Sequence, residues 1–178
     1  VEYGGEFKNQ QRASERLMLI IPISIFFIFI LLFMSFQSIK QALIVLFNIP
    51  LALIGGIAGL YFTGEYLSVP ASVGFIALLG IAILNGVVLV NYFNALIAQG
   101  MSLHDTIIQG AMRRIRPVMM TAIIAALGLV PFLFATGPGS ELQKPLAIVV
   151  VNGLISSTFL TLILLPMLYT LAQTSKEK

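Results

Sequence analysis

Apolar residues fill long runs of this chain, and polar segments separate the runs. The runs lie at about 17–36, 42–62, 69–98, 117–136 and 146–172. A helix of about 20 mostly apolar residues is long enough to cross a bilayer. The pattern therefore predicts an all-α polytopic membrane protein with five transmembrane helices. The third run is longer than a bilayer requires, which favours a helix that tilts or emerges.

The segments around the runs are polar. Residues 1–16 carry charges of both signs, and we expect them to lead into the first helix with Ser14 as its N-cap. Residues 173–178 form a polar tail. Pro117 suits the first turn of the fourth helix, where its missing N–H is tolerated.

A further helix is predicted between the third and fourth runs, over about 102–112. The apolar positions 103, 107, 108, 111 and 112 have the spacing of an amphipathic helix on a membrane surface. Ser102 and Asp105 predict a capping box at its start, with Asp in place of the usual Glu.

Composition excludes several classes of protein. The chain is 58% hydrophobic and 10% charged, whereas a soluble domain is about 25% charged. With no Cys, it has neither a disulfide framework nor a thiolate metal site. It begins with Val, and no signal peptide follows. We therefore expect a piece of a longer protein, and the sequence leaves open whether the cut is natural.

The charges outside the runs predict an orientation. Five helices place the loops after the first and third runs on the same side as the tail, and the basic residues there outnumber the acidic ones. They are Lys40, Arg113, Arg114, Arg116, Lys176 and Lys178, against Asp105 and Glu177. The positive-inside rule makes that side cytoplasmic, with a periplasmic N-terminus and a cytoplasmic C-terminus.

No Asp or Glu lies within the five runs. A proton-driven carrier needs a protonatable group in the membrane, usually a carboxylate, so that group would belong to another part of the protein. Asn85 lies near the middle of the third run. It either bonds a neighbouring helix, for roughly 1 kcal/mol, or lines a polar path and holds a partner carboxylate. Gly80 and Gly86 predict close approach of another helix on the same run.

Two other features carry alternatives. Arg113, Arg114 and Arg116 either anchor the chain among lipid phosphates, or one of them turns inward to a carboxylate. Thr121 lies two turns after Arg114 on the same helix face, and it either relays a proton or bonds its own backbone. Asn152 and Gly153 are read as a helix contact. The spans contain no nucleophile–base pair, so an enzyme is not expected, and we expect no metal ligands and no cofactor.

Four motifs together resemble one family. The segments "GEFKNQQRASERL", "GFIALLGIAILNGVVLV", "RRIRPVMMTA" and "ATGPGSELQKPLA" are similar to the C-terminal membrane region of resistance–nodulation–division (RND) efflux pumps. The likeness is to the cobalt–zinc–cadmium type of the heavy-metal branch and covers essentially the whole chain.

The resemblance implies the second-half repeat of a membrane domain of about twelve helices, preceded by the end of a periplasmic porter region in residues 1–16. It implies a homotrimer with a periplasmic adaptor protein and an outer-membrane channel, in the bacterial inner membrane, with an N-terminal half of the same protein outside this chain. The family's proton-carrying aspartates lie on a fourth helix that this chain lacks. Nothing indicates a nucleic-acid partner.

Individual residues follow the family pattern unevenly. Leu84 stands where drug exporters have a lysine and copper/silver exporters a glutamate, and Leu84–Asn85–Gly86 is similar to the divalent-metal branch. Arg114 and Thr121 match the relay positions of the drug exporters' "R-x-R-P-x-x-M-T" pattern. Asn152 departs from the usual Gly-Gly, which puts the close helix contact there in doubt.

The sequence thus predicts part of a proton-coupled efflux pump for divalent heavy-metal cations. The alternatives are a drug- or lipid-exporting member of the same superfamily and a structural fragment that inserts into the membrane without transporting. Asn85, Arg114 and Thr121 are the candidate coupling residues. Gly80, Gly86, Asn152 and Gly153 are the candidate packing residues.

Overall fold

The computed structural model of this chain describes residues 3–174, which form helices and the turns between them. The helices are α1 (Tyr3–Phe36), α2 (Ile39–Leu46), α3 (Asn48–Thr63), α4 (Val69–Ala98), α5 (Leu103–Leu133) and α6 (Ser140–Thr174). In this described part, five stretches are long and apolar enough to cross a membrane, with α2 and α3 together making the second. The predicted all-α fold with five transmembrane helices is confirmed.

The first helix is longer than the sequence predicted. It begins at Tyr3, so Ser14 lies within the helix rather than at its N-cap. The polar lead-in is rich in Glu, Gln, Lys and Arg, which favour helix, and nothing in it stops the helix. Its 34 residues correspond to about 51 Å, more than the roughly 30 Å hydrocarbon core of a bilayer.

The second predicted span, 42–62, is divided. The helix α2 ends at Leu46 and α3 begins at Asn48, with Phe47 between them in a helix-like conformation. The cause is Pro50, which has no N–H for the carbonyl of Leu46 and whose ring crowds that same carbonyl. The span therefore passes through Phe47 in a helix-like conformation, and the backbone hydrogen bond from residue 50 to the Leu46 carbonyl is missing.

The predicted surface helix over 102–112 and the fourth span over 117–136 form one helix, α5. No glycine or turn residue lies between Met112 and Pro117, and a single proline in a membrane helix kinks it without ending it. The buried residues of the first part are Thr106 and Gly110, whereas Ile108 and Met112 are exposed. This part of α5 therefore packs most tightly through Thr106 and Gly110, while Leu103, Ile107 and Ala111 of the apolar stripe are half-buried.

The last helix begins six residues before the predicted 146. Gly137 and Gly139 adopt φ angles of 111° and 92°, a region that favours glycine, and α6 starts at the next residue. The Ser140 hydroxyl donates to the Gly137 carbonyl at 2.8 Å.

Of the predicted tail, residues 175–178 lie outside the described residues, as do Val1 and Glu2 at the other terminus.

The helix α6 lies at the centre of the bundle and packs against α3, α4 and α5. Two apolar clusters fill the bundle. One includes Phe75, Leu78 and Leu154, and the other includes Val45, Phe93 and Tyr169. We call the end of the bundle with the α1–α2 and α4–α5 turns the basic end, because Lys40, Arg113, Arg114 and Arg116 are nearest to it.

Candidate functional site

Asn85 lies on α4 at the edge of a face that none of the described helices covers. The exposed residues of this open face are Val73, Ile76, Ala77, Gly80, Leu84, Asn91 and Ala95. Asn85 is itself half-buried. Within the described part of the chain its amide makes no hydrogen bond, although an amide in a bilayer needs partners. The Asn85 amide thus lies beside a surface of α4 that the described helices leave open.

The two glycines beside Asn85 differ. Gly86 is buried, and a Cβ added to it would stand 2.6 Å from Nδ2 of Asn48 and 3.2 Å from Val45. It is therefore a contact point between α4 and the α2–α3 junction. Gly80 is exposed on the open face, and a Cβ there would meet nothing within 4 Å. The predicted packing role of Gly80 thus has no counterpart among the described residues.

Arg114 contacts an aromatic ring of α4. Its guanidinium carbon lies 4.8 Å from the centre of the Tyr92 ring, a distance at which the cation is attracted to the face of the ring. Arg114 is half-buried, while Arg113 and Arg116 are exposed. Of the three arginines, Arg114 alone is therefore turned toward α4.

Thr121 forms a hydrogen bond with its own backbone, which was one of the two alternatives predicted for it. Its hydroxyl donates to the carbonyl of Pro117 at 2.9 Å, and the residue is exposed. A threonine bonded four residues back along its helix is common in membrane helices. In this conformation the hydroxyl is engaged with its own backbone.

Asn152 and Gly153 lie where α6 contacts α3 and α4. The Asn152 amide donates to the carbonyl of Ile148 at 2.9 Å, and Gly59 of α3 leaves room for its side chain. Gly153 packs directly against Leu78 of α4. The helices thus approach closely despite the amide, because α3 supplies the small residue that α6 lacks at this point.

A buried hydrogen bond joins the α2–α3 junction to α6. The Thr161 hydroxyl donates to Oδ1 of Asn48 at 2.9 Å, and each residue is 2% exposed. Among the described residues, the Asn48 NH2 group has no hydrogen-bond partner. Asn48 was not singled out from the sequence. Its partner is 113 positions away, so no local pattern could have identified it.

A second polar network closes the bundle at its basic end. Gln41 of α2 and Asn94 of α4 exchange two amide hydrogen bonds of 2.9 and 3.0 Å. The buried Tyr169 hydroxyl of α6 donates to the same Asn94 oxygen at 2.7 Å, and Gln173 donates to Tyr169 at 3.2 Å. In the sequence, Asn94 stands out as a polar residue near the end of an apolar run. Its hydrogen-bond partners could not be predicted, because they lie on other helices.

An open cleft of about 990 Å³ lies at the opposite end, between the α3–α4 and α5–α6 loops. Lys144 and Glu65 form an ion pair of 3.0 Å in it. Both side chains are partly exposed, and such pairs contribute about 0.2–1 kcal/mol. Among the residues that the structure describes, no group of three His, Cys, Asp or Glu side chains could hold a metal ion.

The chain is similar to known transport proteins along nearly its whole length. It matches the AcrB/AcrD/AcrF family over residues 1–173. It is 47% identical to the cobalt-zinc-cadmium resistance protein CzcA of Cupriavidus metallidurans, over 98% of this chain and 16% of that protein. It is 49% identical to protein HelA of Legionella pneumophila, over 100% of this chain and 17% of that protein.

The fold is likewise that of a solved pump. The crystal structure of a heavy metal efflux pump superposes with a TM-score of 0.86 at 46% identity, over 94% of this chain and 17% of that one. The chain thus spans less than a fifth of the length of these relatives. With the family match, the shared helices and the identity taken together, the chain belongs to the AcrB/AcrD/AcrF family and, within it, to the heavy-metal branch of the RND efflux pumps.

Proposed function

We propose that this chain is part of the inner-membrane subunit of a proton-coupled transporter that exports divalent heavy-metal cations. The observation that carries the proposal is the 47% identity to a cobalt-zinc-cadmium resistance protein, with Leu84, Asn85 and Gly86 at the position where the branches of the family differ. The transport activity belongs to the complete protein, because the chain spans only 16% of that relative.

In the proposed mechanism, protons are carried by carboxylates in the remainder of the protein. Asn85, at the edge of the open face of α4, offers an amide that hydrogen-bonds a carboxylate without adding charge. Arg114 supplies the cation, since Leu84 carries none. An opposite charge within about 4–6 Å favours the ionised form of a carboxylate, so proton uptake there would loosen the contact and move the helices. Metal would be bound in the porter domains.

Thr121 has a conditional part in this mechanism. Its hydroxyl is occupied by the carbonyl of Pro117 in this structure. It relays a proton only in a conformation in which that hydrogen bond opens. The proposal therefore places Asn85 and Arg114 ahead of Thr121 as coupling residues.

The basic end is the cytoplasmic end in this proposal. Lys40 and the arginines of α5 are nearest to it, in agreement with the positive-inside rule. The N-terminus of the chain would then be periplasmic, where residues 1–16 continue from a porter domain. We further propose the assembly of the family, a homotrimer with a periplasmic adaptor protein and an outer-membrane channel.

Two alternatives remain to be separated by experiment. A drug- or lipid-exporting pump is disfavoured by Leu84, which replaces the lysine of the drug exporters. A structural fragment without transport is the expected behaviour of this chain by itself, because the carboxylates lie elsewhere. Uptake of metal into vesicles that hold only this chain would contradict that expectation.

A chimeric pump tests the proposal. The matched part of this chain, 98% of its length, replaces the matching segment of the cobalt-zinc-cadmium resistance protein, and cells lacking their own exporters are grown in cobalt, zinc or cadmium. We expect metal tolerance, with no gain in tolerance to drugs. Tolerance to drugs without tolerance to metals would contradict the proposal, and so would normal metal tolerance in both Asn85→Ala and Arg114→Ala chimeras.

A further inference from the structure

The contact of Arg114 with Tyr92 joins two helix faces that carry candidate coupling residues, one on α4 and one on α5. On α4, Tyr92 follows Asn85 by seven residues, so both lie on one face two turns apart. On α5, Thr121 follows Arg114 by the same spacing. The guanidinium lies 4.8 Å from the ring centre, and the two faces therefore meet at this point.

A glycine permits the close approach of α5 to α4. Gly110 lies one turn before Arg114 on α5, and a Cβ there would stand 2.6 Å from the ring of Phe93. Phe93 is fully buried and adjacent to Tyr92. A larger residue at 110 would therefore push α5 outward at the place where the guanidinium reaches the Tyr92 ring.

The segment of α4 that carries Tyr92 is held in place by its neighbours Phe93 and Asn94. Phe93 packs on Tyr169 with the ring centres 5.0 Å apart. Asn94, two residues after Tyr92, is hydrogen-bonded to Gln41 and Tyr169. This end of α4 is thus tied to α2 and α6 by buried contacts.

We propose that Tyr92 is a positioning residue that holds the Arg114 guanidinium against the face of α4 that carries Asn85, two turns from that amide, where the guanidinium meets an anionic group in the remainder of the transporter. The inference rests on the proposed function, in which Arg114 is the cation of the coupling site. The face of the ring makes the contact, and the phenol hydroxyl takes no part in it. An aromatic ring without the hydroxyl therefore keeps the function, and an aliphatic side chain loses it.

The test compares variants of the complete protein that carries this chain, at equal amounts in the membrane. Tyr92→Leu lowers the rate of zinc efflux about two- to five-fold, the range expected for loss of a cation–π contact near a surface. Tyr92→Phe retains the rate that Tyr92→Leu loses. Gly110→Ala also lowers the rate, because it separates α5 from α4. Arg113→Ala, which changes an exposed neighbour, is the matched control.

The outcomes separate this inference from the function on which it rests. If Arg114→Ala lowers efflux and Tyr92→Leu does not, Tyr92 has no positioning role and the proposed function stands. If Arg114→Ala is also normal, Arg114 is not the coupling cation and the inference is wrong, whereas the proposed function is contradicted only when Asn85→Ala is normal as well. Equal loss in Tyr92→Phe and Tyr92→Leu would assign the effect to the hydroxyl and overturn the inference. Should Tyr92→Leu be absent from the membrane, Tyr92→Met provides the same contrast.

Discussion

Asn152 of α6 lies directly against Gly59 of α3. A Cβ added to Gly59 would stand 2.7 Å from both Cβ and Nδ2 of Asn152. Four residues earlier on α3, Gly55 faces Ser156 in the same way. Membrane helices associate closely where small residues face each other, and here glycines on one helix receive polar side chains of the other. The contact joins α3 to the central helix of the bundle.

Gly59→Ala is therefore expected to destabilise the protein. A methyl group at this contact forces α3 away from α6, and overpacking typically costs about 1–3 kcal/mol. Thermal unfolding of the complete protein in detergent should show a lower midpoint. Gly128→Ala is the matched control, since Gly128 is exposed within α5 and a Cβ there would meet nothing.

The same contact predicts a suppressor. Asn152→Gly removes the side chain that the new methyl group would meet, so the double variant should be more stable than Gly59→Ala alone. Contacting residues commonly couple by about 0.5–3 kcal/mol in such cycles. Strictly additive effects of the two changes would contradict the packing described for α3 and α6.

Thr161→Val should destabilise the α2–α3 junction. The change removes the hydroxyl that donates to Asn48 and leaves the whole Asn48 amide without a partner, since its NH2 group already has none. Loss of such a bond between membrane helices costs about 1 kcal/mol. Thr161→Ser keeps the hydroxyl and should unfold at the same temperature as the unaltered protein. A loss of equal size in both variants would show that the methyl group, not the hydrogen bond, is responsible.

Asn94→Leu should loosen the basic end of the bundle. It removes the bonds to Gln41 and Tyr169 and leaves polar groups of both partners unpaired, at about 1–3 kcal/mol. Hydrogen exchange of the α2 amides should become faster. Tyr169→Phe should have a smaller effect, because Asn94 keeps its pair with Gln41 and the ring still packs on Phe93. The reverse order would contradict the network.

Ser102→Ala should fray the start of α5. The Ser102 hydroxyl accepts from the Asp105 N–H at 3.2 Å and donates to the Asp105 carboxylate at 2.7 Å. Loss of an N-cap costs about 0.5–2 kcal/mol, so the amides of residues 103–105 should exchange faster. Ser102→Thr keeps the cap and serves as the control. Unchanged exchange in Ser102→Ala would mean that the cap contributes nothing measurable.

The sequence predicts those features of the fold that depend on local pattern. The helix α4 runs from Val69 to Ala98, as its apolar run indicates, and Ser102 is the N-cap of the next helix. The pattern did not predict the effect of two prolines. Pro117 was expected to start a helix, but α5 continues through it. No break was expected at Pro50, but the second span is interrupted at Phe47, just before that proline.

The candidate site was predictable only as a set of residues, not as an arrangement. Asn85, Arg114 and Thr121 stand out as polar residues in or beside apolar runs. Their partners depend on how the helices pack, as the contact of Arg114 with Tyr92 shows. Similarly, the buried pair of Asn48 and Thr161 joins helices far apart in the sequence, and helix periodicity carries no information about such contacts.

Metal flux in everted membrane vesicles tests whether this bundle belongs to a proton-coupled exporter. The complete protein is placed in vesicles with an acidic lumen, and zinc accumulation is followed with a fluorescent indicator. We expect accumulation that stops when a protonophore collapses the pH gradient and that Arg114→Ala lowers, while Arg113→Ala does not. Accumulation that is indifferent to the gradient, or no zinc transport at all, would contradict the proposed function.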